Sequence, residues 1–387
     1  MAENKEKKVL NVPNLRFPEF EGEWEEHYLS DYLDFKNGLN PKPERFGKGI
    51  KFISVMDILN NAVITNDCIR ASVDVSEEEL LSFCVENGDI LFQRSSETLE
   101  DVGRANVYMD NKPAVFGGFV IRGKKKAEYD PLFFRYLLAS PFARKKIIPM
   151  GAGAQHFNIG QEGLNKVKLH FALLDEQKKI ARLLSLLDER IATQNKIIED
   201  LKKLKSVISD RLFKNIKGDV ITLSEICDIV KGKQINGEYL TESGEYYVMN
   251  GGTEPSGYYG DYNVDANTIS ISEGGNSCGY VQFNTSPFWS GGHCYSIQNI
   301  ADHVDNLYLY HYLKSNEEVI MRLRIGSGLP NIQKKDLTMF KIKVPTFEQQ
   351  ITISTFLSSL ERKADIEERI LNVILKQKLY LLQQMFI

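Results

Sequence analysis

The sequence predicts an α+β protein: two pseudo-repeated globular domains separated by two long helices packed as an antiparallel coiled coil. Three observations lead there. A long amphipathic helix is written twice, the residues ahead of each copy recur in a gapless register, and short β-prone runs with Gly and Asn turns fill the remainder.

The helices come first. "LLDEQKKIARLLSLLDERI" begins at Leu173 and "TFEQQITISTFLSSLERKA" at Thr346. The first apolar stripe runs Ile180, Leu184, Leu187, Ile191, Ile198, Leu201; the second runs Ile353, Leu357, Leu360, Leu371, Ile374. Steps of three and four place these residues on one face, as in a coiled coil. Gln194 and Glu367 interrupt the two stripes at the same relative position, which predicts that the helices face each other there. Each helix spans about 40 residues, or about 60 Å at 1.5 Å per residue. Such a helix needs a tertiary partner for its stripe; two copies on one chain can supply each other, and the alternative is that each packs only on its own domain.

The register supports a true repeat. Asn158-Ile159 recurs as Asn331-Ile332, 173 positions on; the same offset pairs Gly153 with Gly326, Leu164 with Leu337, Gln177 with Gln350 and Phe213 with Phe386. Unrelated amphipathic helices would share leucines, but not the Gly, Asn-Ile and Gln ahead of them. Weaker echoes precede these: "LSDYLDFKNG" resembles "LSEICDIVKG", and "DPLFFRYLL" resembles "DNLYLYHYLK" with one gap. "FISVMDILNNAVITND" finds no counterpart in "YVMNGGTEPSGYYGDYN".

At 387 residues the chain exceeds one core. The expected division is residues 1–172, a domain with an N-terminal segment; 173–215, the first helix; 216–347, the second domain; and 348–387, the second helix. Runs such as "GDILFQRS" and "NTISISEGG" read as strands, and "YDPLFFRYLLASPFARKKI" and "VDNLYLYHYLKSNEEVIMRLR" each read as a helix late in its domain.

The net charge of -4 argues against an all-over polyanion binder while leaving room for a local basic face. The five cysteines form no C-x-x-C pair, and His293-Cys294 alone does not make a metal site. No 18-residue apolar window and no signal-peptide core occur, so no membrane span and a cytoplasmic location are expected. Catalytic motifs are missing as well: no phosphate loop, nucleophile elbow, zinc-protease helix or methyltransferase tetrapeptide, of which "SPFW" is the nearest shape. No catalytic or metal residue is expected.

Polar loops carry what chemistry there is. Arg, Gln, Asn and Ser are the residue types that read base edges or grip phosphates. The candidates are Gln93, Arg94, Arg104, Asn106, Lys124 and Asn158 in the first half, and Lys233, Asn276, Ser277, Tyr280, His293 and Asn331 in the second. For any single one of them ordinary turn chemistry is the simpler reading; the arrangement makes the case. The loops Gly153–Asn158 and Gly326–Asn331 read equally as DNA contacts or as tight turns that aim the helices.

"GAGAQHFNIGQEGLNKVKL…DEQKKIARLLSLLDERI" and "GSGLPNIQKKDLTMFKIKVP…EQQITISTFLSSLE", with the opening "LRFPEFEGEW", resemble the specificity subunits of type I restriction–modification systems over nearly the whole chain. The first copy departs from the pattern: His170-Phe171-Ala172 stands where the second has Val344-Pro345-Thr346 after Lys343, leaving the first strand-to-helix junction less defined. The resemblance implies a non-catalytic subunit whose two target-recognition domains each read one half of a bipartite, asymmetric site in double-stranded DNA. Its helices would set the spacing and dock two modification (methyltransferase) subunits, with two restriction (motor–nuclease) subunits joining for cleavage. S-adenosylmethionine, ATP and Mg would belong to those partners, none to this chain. The alternatives are a protein-binding coiled-coil scaffold and a self-sufficient DNA methyltransferase or nuclease; the latter needs the motifs that are missing.

Overall fold

The computed structural model describes residues 10–326 and 330–387. Ser327, Gly328 and Leu329, part of the second Gly-to-Asn loop named above, lie outside the described residues, as does the extreme N-terminus. The chain divides into two compact units: residues 1–194 with 370–387, and residues 195–369. The first long helix, Leu174–Asn215, and the second, Phe347–Gln384, each contribute to both units.

In the first unit an antiparallel four-stranded sheet has the order Leu33–Asn37, Val120–Lys125, Ile90–Gln93, Ala105–Val107. A three-stranded sheet pairs Phe46–Ile53 antiparallel with Ser72–Val73 and parallel with Ala114–Phe116. The strand Glu25–Tyr28 pairs with Lys168–Phe171 just before the helix. In the second unit the four-stranded order is Asp228–Lys231, Cys294–Gln298, Thr268–Ser272, Val281–Asn284. Tyr246–Met249 pairs antiparallel with Tyr258–Tyr259 and parallel with Trp289–Ser290, and Asp219–Thr222 pairs with Lys341–Val344.

The topology therefore repeats where the sequences diverge. "FISVMDI" and "YVMNGG" do have counterparts, each supplying the central strand of a three-stranded sheet, which corrects the expectation of none. Hydrogen bonds between backbones fix the pairing, so side chains are free to change.

The late-domain helices also need correction. Pro131–Ala139 ends at Ser140 and a new helix, Pro141–Ile147, begins, because the residue before a proline is disfavoured as helix and Ser140 Oγ caps the next turn. In the second unit Asn306–Ser315 is followed, after Asn316, by Glu317–Met321.

Each core lies where sheet, late helix and long helices meet. In the first unit Ile180, Leu184 and Leu187 share a cluster with Ile374, Leu381, Met385 and Phe386. Phe386 lies edge-on to Trp24 and tilted against Phe133. In the second, Phe213 packs edge-on to Tyr308 and Tyr312, with Leu357 in the same cluster. Of the remaining stripe residues, Ile198 is buried, and Ile191, Leu201, Ile353, Leu360 and Leu371 are half-buried. Within the second unit Lys202 pairs with Glu368 and Lys205 with Glu361, so the helix segments run antiparallel. The ion pair Lys378–Asp188 in the first unit is the image of Lys205–Glu361, 173 positions displaced on both partners.

The invariant Gln of the repeat has a structural task. Gln177 Oε1 accepts from Asp130 N at 3.0 Å, and its Nε2 donates to Ala172 O at 2.8 Å. Gln350 Oε1 accepts from Asp305 N at 2.8 Å, and its Nε2 donates to Pro345 O and His303 O, each at 3.0 Å. Asp130 and Asp305 are the N-caps of the two late helices. Each Gln ties a long helix to the cap of a late helix and to the strand-to-helix junction. The junction has the same length in both units, two residues between strand and helix, and the 173-residue offset sets Ala172 against Pro345, one place from the pairing of His170-Phe171-Ala172 with Val344-Pro345-Thr346 given above. The carbonyl is what the Gln holds, so the missing proline is tolerated.

Candidate nucleic-acid interface

At one end of each four-stranded sheet three backbone segments close on one another. In the first unit the strand Ile90–Gln93 delivers Arg94 between two neighbours: Arg94 N donates to Phe119 O and Arg94 O accepts from Ile159 N, both at 2.9 Å. In the second unit Glu273 follows the strand Thr268–Ser272; Glu273 N donates to His293 O at 2.9 Å and Glu273 O accepts from Ile332 N at 2.8 Å. Arg94 and Glu273 thus hold the same place.

A Gly-Gly turn forms one wall: Gly117-Gly118-Phe119 in the first unit, Gly291-Gly292-His293 in the second. Gly117 N donates to Ile53 O at 3.0 Å, and Gly291 N to Met249 O at 2.8 Å. The first strand of the sheet leaves over this turn through Gly38 or Gly232, where a Cβ would lie 2.0 Å from Gly117 O or 2.2 Å from Gly291 O. Both obstacles are backbone, so only glycine fits. This explains the shared glycine of "DFKNG" and "DIVKG". The residues that follow, Leu39 and Lys233, donate their N–H to Phe116 O and Ser290 O at 2.9 and 2.8 Å.

The Asn-Ile segment forms the opposite wall. Asn158 exchanges backbone hydrogen bonds with Ala152, as Asn331 does with Ile325. Both asparagines are exposed, while Ile159 and Ile332 anchor the segments in the cores. Asn158 Oδ1 accepts from Ser95 Oγ.

The side chains on the two frames differ. Phe119 is 68% exposed, and Arg94 is half-buried with one guanidinium nitrogen donating to Gly118 O at 3.2 Å. In the second unit His293 is exposed, its Nδ1 3.4 Å from the Glu273 carboxylate. Glu273 is buried and accepts from Lys231 Nζ at 2.5 Å and Tyr295 OH at 3.1 Å. Burial and the adjacent Glu273 charge push the Tyr295 phenol up, keeping it a donor.

The structure places the sequence candidates unevenly. Arg94, Asn158, Lys233, His293 and Asn331 lie on the two frames. Gln93 is buried, its Nε2 donating to Ser95 O at 2.9 Å, and does not reach the surface. Asn106 is buried too: its Nδ2 donates to the carbonyls of Ile58 and Asn61, and its Oδ1 accepts from Val107 N and Arg135 Nε. Arg104 is exposed but paired with Asp101 at 2.7 Å, beside a separate cavity of about 370 Å³ that Arg135 and Arg144 also line. Burial and the neighbouring Arg104 hold Arg144 down at about 10. Lys124 pairs with Glu86 at 2.8 Å. Asn276 and Ser277 lie in the turn after Gly275, and Tyr280 packs under Lys314, whose Nζ is 3.9 Å from the ring centre. The sequence reading missed Leu39 and Phe119. Their signal, Gly-Gly-x repeated in "FGGFV" and "SGGHC", is displaced by one residue from the gapless register and so falls outside it.

Among the described residues no group of three or more His, Cys, Asp or Glu could hold a metal ion, and no helix is long and apolar enough to cross a membrane.

The family model for the type I restriction modification DNA specificity domain matches this chain twice, over residues 21–203 and 215–376. A putative type I restriction enzyme specificity subunit of Methanocaldococcus jannaschii is 24% identical, covering 94% of this chain and 92% of that protein. A putative type I specificity subunit of Mycoplasma genitalium is 32% identical over 41% of this chain and 43% of its own length. The crystal structure of a type I restriction-modification system S subunit from M. genitalium has a TM-score of 0.66 at 20% identity, with 97% of this chain and 99% of that one covered. At that identity the likeness speaks for the fold.

Proposed function

The chain belongs to the type I restriction–modification DNA specificity family, and from that premise we propose that its two target-recognition domains read the two halves of a bipartite, asymmetric site in double-stranded DNA. The observation that carries this is the repeated frame with exchanged side chains. Arg94 and Phe119 occupy the backbone positions held by Glu273 and His293. One frame bearing two chemistries suits two different half-sites, and a palindrome would need the same chemistry twice.

In this reading the helices are the spacer, and their outward apolar residues, among them Val373, Leu379 and Tyr380, are the dock for two modification subunits. Those partners bring S-adenosylmethionine and the adenine-N6 chemistry; two restriction subunits bring ATP- and Mg-dependent cleavage. This chain contributes recognition and geometry, binds no cofactor, and acts in the cytoplasm beside DNA.

Co-expression with a modification subunit from its own genomic neighbourhood, followed by mapping of N6-methyladenine, tests the reading. A single split motif that vanishes without this chain is the expected result. An assembled complex that leaves no methylation rejects it and favours the protein-scaffold alternative. Inserting seven residues after both Gln194 and Glu367 lengthens each helix by about 10 Å, so the motif's spacer should grow by about three base pairs at about 3.4 Å each; an unchanged spacer rejects the spacer role.

A further inference from the structure

We infer that the exposed residue of each Gly-Gly turn is the specificity-determining side chain of its domain: Phe119 recognises an apolar base edge, the thymine methyl, and His293 a hydrogen-bonding edge. The inference rests on the DNA-reading function proposed above and assigns residues within it.

The two turns have the same backbone, held by the same set of hydrogen bonds, so they present their third residue alike. A Phe side chain gains by burial, yet Phe119 stays 68% exposed at the third position of its turn. Its neighbours extend the apolar character. Leu39, Phe46, Phe52 and Met56 line one cavity of about 400 Å³ with it, and Met56 is itself largely exposed. In the major groove the thymine C5-methyl is the one apolar group a base pair offers.

The second unit places polar groups at the matching points. Lys233 replaces Leu39 and His293 replaces Phe119. The buried Glu273 carboxylate, itself fixed by Lys231 and Tyr295, faces the imidazole at 3.4 Å. Among the described residues no hydrogen bond joins Glu273 to the ring, the carboxylate oxygen beside it having no partner, and the ring is left to meet the base. The edges that suit it carry acceptors or donors, not a methyl.

Reciprocal exchange tests this. Phe119→His, Phe119→Leu and His293→Phe are each assembled with the modification subunit, and the base preferences are read from a DNA library randomised in both half-sites. Phe119→His should weaken the preference for thymine at one position of one half-site by about tenfold, a contact worth about 1.4 kcal/mol, leaving the other half-site and the spacer unchanged. Phe119→Leu keeps an apolar side chain and should retain that preference. His293→Phe should alter only the opposite half-site. Unchanged preferences in Phe119→His and His293→Phe overturn the inference, as does a change in both half-sites from a single exchange. Failure of the unmodified complex to select any sequence would instead reject the DNA-reading function itself.

Discussion

In the first unit the strand Ile90–Gln93 ends at an arginine beside an exposed phenylalanine; in the second the strand Thr268–Ser272 ends at a buried glutamate beside an exposed histidine. The same backbone hydrogen bonds hold Arg94 and Glu273 in place. The supports beneath differ as well. The first unit carries an N-terminal segment with no equivalent in the second: Arg16 grips the buried Glu176 through two hydrogen bonds of 2.8 and 2.7 Å, and Leu15 N donates to Gln384 O. At the position of Glu176 the second unit has the exposed Gln349. The comparison separates what the frame requires, namely glycines at backbone crossings, the Gln latch and the Asn-Ile anchor, from what each domain is free to vary.

The largest expected effect breaks that asymmetry. Arg16→Ala leaves the Glu176 carboxylate buried without its partner and should destabilise the first unit by about 3 kcal/mol. Hydrogen exchange resolved by segment should show lost protection in the strands Leu33–Asn37 and Ile90–Gln93 and unchanged protection in the second unit; equal loss in both would mean the units are not independently supported.

The Gln latch sharpens the comparison. Gln177→Ala and Gln350→Ala each leave buried backbone groups unpaired, at a cost of about 1–3 kcal/mol. Gln350 makes three hydrogen bonds to the two of Gln177, so its replacement should cost more. Denaturant midpoints of the two variants check the order.

A third difference is one of acid response. His311 occupies in the second unit the helix position held by Tyr136 in the first. Burial, aided by Lys205, holds the imidazole at about 4, against the opposing pull of Glu361 and Asp305. An unfolded histidine titrates near about 6.5. The folded state therefore binds fewer protons across this window, and stability from His311 is complete above about pH 6.5 and declines as the pH falls toward 4. Tyr136 stays neutral throughout, because burial and Asp188 raise its phenol. Segment-resolved exchange between pH 7 and 4 should show this decrement in the second unit, and His311→Gln should abolish it.

Much of the architecture was legible in the sequence because helix and repeat are local or periodic signals. The stripe from Ile180 to Leu187, the 173-residue register and the Gln ahead of each helix all stand in the primary structure. The late-domain helices were misjudged at Pro141 and Asn316, where a single residue, Ser140 or Asn316, ends one helix and caps the next. Among the candidate contacts, Arg94, Asn158, Lys233, His293 and Asn331 came to the frames, whereas Gln93 and Asn106 turned inward. Residue type alone does not say which face of a short β-strand a polar side chain takes.

By itself the sequence determined that this chain is two similar α+β halves joined by two long helices, since a gapless repeat and a period of three and four need no partner to be read. Only the tertiary structure decided that residues 94, 119 and 158 meet in one unit, and 273, 293 and 331 in the other. Those meetings are made by backbone hydrogen bonds between distant segments, which accept any side chain. They leave a trace in the sequence at Gly38 and Gly232, where two backbones cross too closely for a Cβ, and in the shared Gly-Gly turns and Asn-Ile pairs.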